Sequence, residues 1–143
     1  MIKNTSILLL VCFSFSNLKA QSVIGKWKTI DDETGKARSI VEIYEENDKI
    51  YGKIVDILNP KKKTSLCSKC DGENKNQPVI GMVIISELEK DHDIYEGGTI
   101  LNPDNGKIYK CRLKLEEDTN TLQVRGYLAF FFKTQYWKRI VKD

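Results

Sequence analysis

The sequence predicts an all-β fold, an antiparallel up-and-down β-barrel of about eight strands. Three observations carry this. Between Tyr95 and Arg139, strand-like runs alternate with turn residues, including Pro103 and the pair Asn105–Gly106. Pro103 suits the second position of a turn, and Asn and Gly tolerate positive φ. Within that stretch Tyr109, Cys111, Leu113 and Leu115 alternate with Lys110, Arg112, Lys114 and Glu116, the clearest period-two signal in the chain. It assigns Cys111 to the buried face. Finally, Pro60, Pro78 and Pro103 all fall outside strand interiors, where a missing N–H would break a ladder. Closing such strands into a barrel removes exposed edges.

Residues 1–20 read as a signal peptide, with Lys3 as the positive region, an apolar run over 7–15 and a small residue, Ala20, before the cleavage point. The apolar run is too short to span a bilayer. Lipidation at Cys12 is less favoured, because Val11 is bulky and apolar sequence continues beyond Cys12. The expected product is periplasmic or secreted, a single domain over 21–143 with no later membrane span. With Lys3 and Lys19 gone from the 23 basic side chains, 21 face 20 acids. That balance leaves no overall basic excess to drive phosphate or nucleic-acid binding.

The elements follow in order. Lys26 and Lys28 alternate with Trp27 and Thr29, as in a strand with one wet face. Residues 31–35 form a polar turn ending in Gly35. Its acids lack the spaced oxygen ligands of a calcium loop. Residues 38–46 and 49–58 form a hairpin about Asn47–Asp48, rich in Ile, Val and Tyr. Gly52 inside the second strand permits a bend or close approach. Residues 59–78, with Lys61, Lys62 and Lys63, are the longest unpatterned segment, a loop of the kind used as a lid or binding loop. Residues 79–88 alternate poorly. A short helix is possible there, but Val83, Ile84 and Ile85 favour a strand. Residues 91–102 give the next strand, bent at Gly97–Gly98. After the alternating strand, 118–120 turn the chain. Leu122, Val124, Gly126 and Leu128 share one face of the next strand, and 134–141 form the last.

Cys67-Ser68-Lys69-Cys70 is the one motif with possible chemistry. A metal would need further ligands, for which Cys111 and His92 are the available residues. A thioredoxin-like redox pair would need a βαβ setting that is missing. In an oxidising compartment a structural disulfide is the preferred reading. His92 lies among Lys90, Asp91 and Asp93 and reads as a surface residue. No nucleophile elbow or phosphate loop occurs, so nothing argues for an enzyme or a cofactor.

Trp27, Tyr51-Gly52-Lys53-Ile54-Val55, Cys67-x-x-Cys70-x-Gly72 and Gly97-Gly98-x-Ile100-x-x-Pro103 follow one another in an order that resembles the DUF2147 family. So do Gly106-x-x-Tyr109, Val124-Arg125-Gly126-Tyr127 and Trp137-x-Arg139. The resemblance implies a small exported bacterial β-barrel and no particular activity. The chain departs from the pattern near 129–133, where Phe130-Phe131-Phe132 replaces a glycine-containing turn; Cys111 lies outside the pattern. Gly25-x-Trp27 and Arg139 are also similar to the closure of lipocalins, which implies a tryptophan plug with an arginine across its ring. The alternative is a core Trp27 and a solvent-facing Arg139.

The expectation is therefore an exported lipocalin-like barrel that binds a small, largely apolar molecule. Tyr127, Phe130, Phe132, Tyr136 and Trp137 are the residues expected to line or rim its cavity. The rival is an envelope interaction module whose barrel is filled; an enzyme ranks third.

Overall fold

A computed structural model describes residues 22–141. The signal peptide expected at 1–20, with Cys12 and the expected cleavage point, lies outside the described residues. Eight strands form one closed barrel in chain order: β1 (Gly25–Ile30), β2 (Ala37–Glu46), β3 (Lys49–Ile57), β4 (Val83–Asp91), β5 (Ile94–Asn102), β6 (Lys107–Leu115), β7 (Thr121–Leu128) and β8 (Phe131–Arg139). Every neighbour pairs antiparallel, and β1 pairs with β8 to close the ring. The up-and-down topology expected from the turn spacing is thus present. Among the described residues no helix is long and apolar enough to cross a membrane.

Inward positions are filled by bulky apolar side chains. Val41, Ile43, Ile54, Ile85, Leu88, Leu113, Leu122 and Val124 are buried with Trp27 and Trp137 in one cluster. Burying such a side chain contributes roughly 1.5–3 kcal/mol each, which makes this packing the main support of the fold. The period-two reading of β6 holds, with Cys111 and Leu113 buried and Lys110 and Lys114 exposed. Asn47 and Asp48 turn β2 into β3 with φ of 51° and 64°, values that their short polar side chains tolerate.

The poor alternation of 79–88 has a physical cause. Ile50 pairs with Leu88 and Gly52 with Ile85, so two steps on β3 match three on β4. The extra residue forms a bulge at Ser86–Glu87, where Glu87 takes φ 61°. The bulge resets the phase, so Ile85 and Leu88 both point inward. The bulged backbone presses on Gly98 of β5, where any Cβ would collide with the Ser86 carbonyl oxygen. That accounts for the Gly97–Gly98 pair. The strand itself begins at Val83, later than expected, because 79–82 belong to the loop.

The last strand also differs from the reading at 134–141. It begins at Phe131, and only Ala129 and Phe130 lie between the paired residues Leu128 and Phe131. A run of three phenylalanines has no apolar–polar contrast, so periodicity could not place the strand start.

The segment between β3 and β4 holds two short 3₁₀ turns, Pro60–Lys62 and Gly72–Asn74, and one bridge between Leu66 and Pro78. Cys67 and Cys70 are buried and disulfide-bonded. The loop seats against the β5–β6 turn. Cys67 Sγ lies 3.6 Å from the Pro103 carbonyl oxygen, and a Cβ on Gly106 would strike the Lys69 carbonyl.

Candidate functional site

The barrel has a closed and an open end. The closed end is built on Trp27, which is fully buried and donates its indole N–H to the Val23 carbonyl at 2.8 Å. Trp27 and Arg139 are paired across the β1–β8 seam. The guanidinium carbon of Arg139 stands 4.3 Å from the Trp27 ring centroid. Arg139 also donates to three carbonyls: Thr119 at 3.0 Å, Ile24 at 3.2 Å and Ser22 at 2.7 Å. One side chain thereby ties the N-terminal segment to the β6–β7 turn and the last strand. Its partial burial draws its pKa below the usual value for arginine. The lipocalin-like pairing is present, and the alternative of a solvent-facing Arg139 is not.

Residues directly opposite across an antiparallel pair share a face. Leu122–Trp137 and Val124–Gln135 continue toward the open end as Gly126–Lys133 and Leu128–Phe131. Those residues therefore carry the inward phase to the rim. On the neighbouring strands Tyr109 and Ile100 continue it, and both come within van der Waals reach of a Cβ placed on Gly126. The rim is polar elsewhere. Thr29 and Ser39 share a 2.7 Å hydroxyl hydrogen bond, and Lys133 and Gln135 reach Asp32 at 2.9 and 3.3 Å. Gln135 also accepts from the Trp137 indole N–H at 3.1 Å. The two contacts to Asp32 span the seam where the β1–β8 ladder has ended.

The five residues expected to hold a ligand do not converge on a cavity. Trp137 is a core residue, 2% exposed, hydrogen-bonded and below the rim. Tyr127, Phe132 and Tyr136 have the opposite phase and lie on the outer wall, with Tyr127 and Phe132 rings 5.9 Å apart. Phe130 sits in the turn, 99% exposed. The residues with the inward phase are Leu128, whose face the alternation of β7 already gave, and Phe131, which register with Leu128 singles out of the Phe130 to Phe132 run. Two clefts do form, of about 690 Å³ beside Lys114, Thr121, Tyr136 and Lys138 and of about 380 Å³ beside Lys26, Glu42 and Tyr44. Both open on the outside of the wall. In the first, Asp118 is held below the usual carboxylate range, foremost by the Thr121 hydroxyl, which it accepts at 2.9 Å.

The outer wall of β6–β8 is a second candidate surface. Its rungs run Lys110–Tyr127–Phe132, then Arg112–Arg125–Thr134, then Lys114–Gln123–Tyr136, with Thr121–Lys138 beyond. Arg112 lies 5.9 Å from the Tyr127 ring centroid and Arg125 4.7 Å from that of Phe132. Arg125 Nε donates to Thr134 at 2.8 Å, whereas Arg112 Nε is buried without a partner.

The remaining reactive groups are quiet. Cys67 and Cys70 are bonded to each other, as in the structural disulfide preferred for that motif. Cys111 faces the barrel interior, and burial pushes its thiol up to about 12. It stays protonated at ordinary pH. His92 is exposed in the β4–β5 turn beside Asp91, 2.8 Å away, and joins neither.

A family model described as an uncharacterized protein conserved in bacteria (DUF2147) matches residues 25–139. Among solved structures, protein HP1028 from the human pathogen Helicobacter pylori, described as belonging to the lipocalin family, is similar with a TM-score of 0.72. The two share 25% sequence identity over 84% of each chain. No curated protein matches the chain.

Proposed function

Since the chain belongs to the DUF2147 family and folds as a lipocalin-like barrel, we propose that it is an exported binding protein whose recognition surface is the rim and outer wall around the β7–β8 hairpin. The observation that carries this is where its apolar side chains go. Bulky residues fill the barrel interior, while Leu128, Phe130, Phe131 and Phe132 remain exposed at the open end. Adjoining exposed apolar side chains on a folded domain mark an interaction site more often than chance. Export rests on the charge and apolar run of residues 1–20, and the Cys67–Cys70 disulfide suits an oxidising compartment.

A second reading keeps a small, largely apolar ligand at the barrel mouth. It is favoured by the inward phase of Leu128 and Phe131 beside Ile100 and Tyr109. Small barrels accommodate either side chains or one small ligand. The two readings separate by experiment. A photo-crosslinking residue at position 130 should give adducts in cells, and Gly126→Phe, which fills the mouth, should leave them unchanged. Native mass spectrometry of protein purified from its own host is the counter-test. A bound small molecule of fixed mass, lost in Gly126→Phe, would replace the surface reading by the mouth reading.

A further inference from the structure

Arg112 and Arg125 stand directly opposite each other on neighbouring strands. Like charges in that position repel. Among the described residues neither guanidinium lies within salt-bridge distance of a carboxylate. The rungs on either side add Lys110 and Lys114, with Lys138 beyond, and no acid occurs in any of these rungs. Lys114 approaches Asp93 at 3.9 Å, and Lys138 lies near Asp118, whose pKa it helps the Thr121 hydroxyl to lower; Lys110, Arg112 and Arg125 make no salt bridge among the described residues. The chain as a whole is close to neutral once its leader is set aside, so this wall concentrates cations that the rest of the surface balances.

The wall ends in an apolar point. Phe130 is 99% exposed, Phe131 79% and Phe132 61%. The cations and the rings also have a fixed vertical relation. Each guanidinium leans one rung toward the tip, Arg112 onto Tyr127 and Arg125 onto Phe132. Arg125 Nε is taken by Thr134 and Arg112 Nε is buried, so the terminal Nη groups of both are the ones left to contact phosphate oxygens. From the rung of Phe132 the chain rises one strand residue to Phe131, roughly 3 Å at strand spacing, and Phe130 lies beyond it in the turn. Apolar side chains of interfacial proteins sit about 5–10 Å below the headgroup boundary. When the guanidiniums are level with lipid phosphates, the tip rings therefore lie beyond them, on the side of the acyl chains.

We propose that this surface docks the protein on an anionic lipid bilayer, with Phe130 and Phe131 inserted at the interface and Arg112, Arg125 and Lys110 on phosphodiester headgroups. The proposal rests on the hairpin being the recognition surface and names its partner by charge complementarity. Binding is peripheral, since the barrel wall remains outside the hydrocarbon.

Vesicle flotation tests it, using vesicles of pure phosphatidylcholine and of phosphatidylcholine with about 30% phosphatidylglycerol, an anionic content that attracts juxtaposed basic residues. The protein should float with the anionic vesicles at least tenfold more tightly than with the neutral ones, and 0.5 M salt should weaken binding by about tenfold as screening shortens the reach of surface charge. Phe130→Ser with Phe131→Ser, and separately Arg112→Gln with Arg125→Gln, should each lower binding at least tenfold, with both variants still folded by urea unfolding. Either double variant binding like the unaltered protein would overturn the proposal. So would equal binding to both vesicles, or none to either. Inorganic phosphate saturating the arginines without vesicle binding, or a dimer abolished by the phenylalanine changes, would overturn it too and assign the surface to a soluble anion or a second copy. Crosslinking at position 130 reports on the recognition surface independently. If adducts persist while vesicle binding is absent, only the lipid assignment fails.

Discussion

At the closed end of the barrel an aromatic ring is enclosed completely: Trp27 has its indole N–H satisfied, a guanidinium across its face and strand neighbours on both sides. At the open end Phe130 has solvent around it, Phe131 and Phe132 are largely exposed, and Ala129 holds φ at 53°, a region that costs a residue with a Cβ about 1–2 kcal/mol. Arg139 and Arg125 differ in the same way. Arg139 donates to three carbonyls of the chain, whereas Arg125 faces a second arginine. The closed end is arranged to hold the fold. The open end carries local arrangements that stability alone would remove, which supports the proposed recognition surface there.

The largest effect belongs to the closed end. Trp27→Ala should destabilise the protein by about 3–5 kcal/mol, as for large aromatic truncations in cores. Arg139→Ala should cost about 2–3 kcal/mol from its charge-assisted hydrogen bonds and stacking. Because the two side chains touch, the double variant should lose less than the sum by about 1 kcal/mol. Urea unfolding of the four proteins measures this. Additive losses would show that the plug and its arginine act separately.

Next comes Gly106, which joins the open-end turns to the disulfide loop. Gly106→Ala should cost about 2–4 kcal/mol, since the new methyl meets the Lys69 carbonyl and the residue holds φ at 71°. Thermal unfolding would show it. A loss under about 1 kcal/mol, the size of ordinary surface changes, would mean that the loop lifts away easily and that the open end is softer than described.

Much of this was legible in the sequence because it depends on local contrast. The alternation around Cys111 gave the face of β6, the turn residues gave the strand order, and the Cys67–Cys70 spacing, taken with the leader expected at 1–20, gave the disulfide. The closure pair was legible through resemblance, not pattern. What could not be read depends on register. The bulge at Ser86–Glu87 shifts the phase by one residue, and no composition marks it. Phe130-Phe131-Phe132 has no alternation, so whether Phe131 or Phe132 turns inward is decided only by pairing with Leu128 and Tyr127. The basic wall escaped notice for a related reason. Its cations sit on three successive strands and share a face only through register, and the whole-chain balance conceals them.

Ala129 offers a smaller test. Ala129→Gly relieves the left-handed strain, and the greater freedom of the unfolded chain offsets part of the gain, so stability should rise by about 0.5 kcal/mol. A fall in the urea midpoint would mean that the turn is not strained, and the contrast with the closed end would lose one of its terms.

The smallest expected effect is the most informative about the open end. A phenylalanine in a core contributes several kcal/mol, whereas one surrounded by water in the folded and unfolded states alike contributes little, because no apolar area is removed on folding. Phe130 is 99% exposed and has no hydrogen bond or ring partner among the described residues. Phe130→Ser should thus change stability by less than about 0.5 kcal/mol, the range of ordinary surface substitutions. Phe132→Ser should cost more, since that ring stacks with Tyr127 and under Arg125. Aromatic and cation–π contacts at exposed sites are each worth about 0.5–1.5 kcal/mol. Chemical unfolding of both variants gives the comparison. A loss above about 1 kcal/mol for Phe130→Ser, beyond the ordinary surface range, would mean that the ring packs against the barrel in solution. The open end would then be built for stability as the closed end is, and the argument for recognition at the hairpin would fail with it.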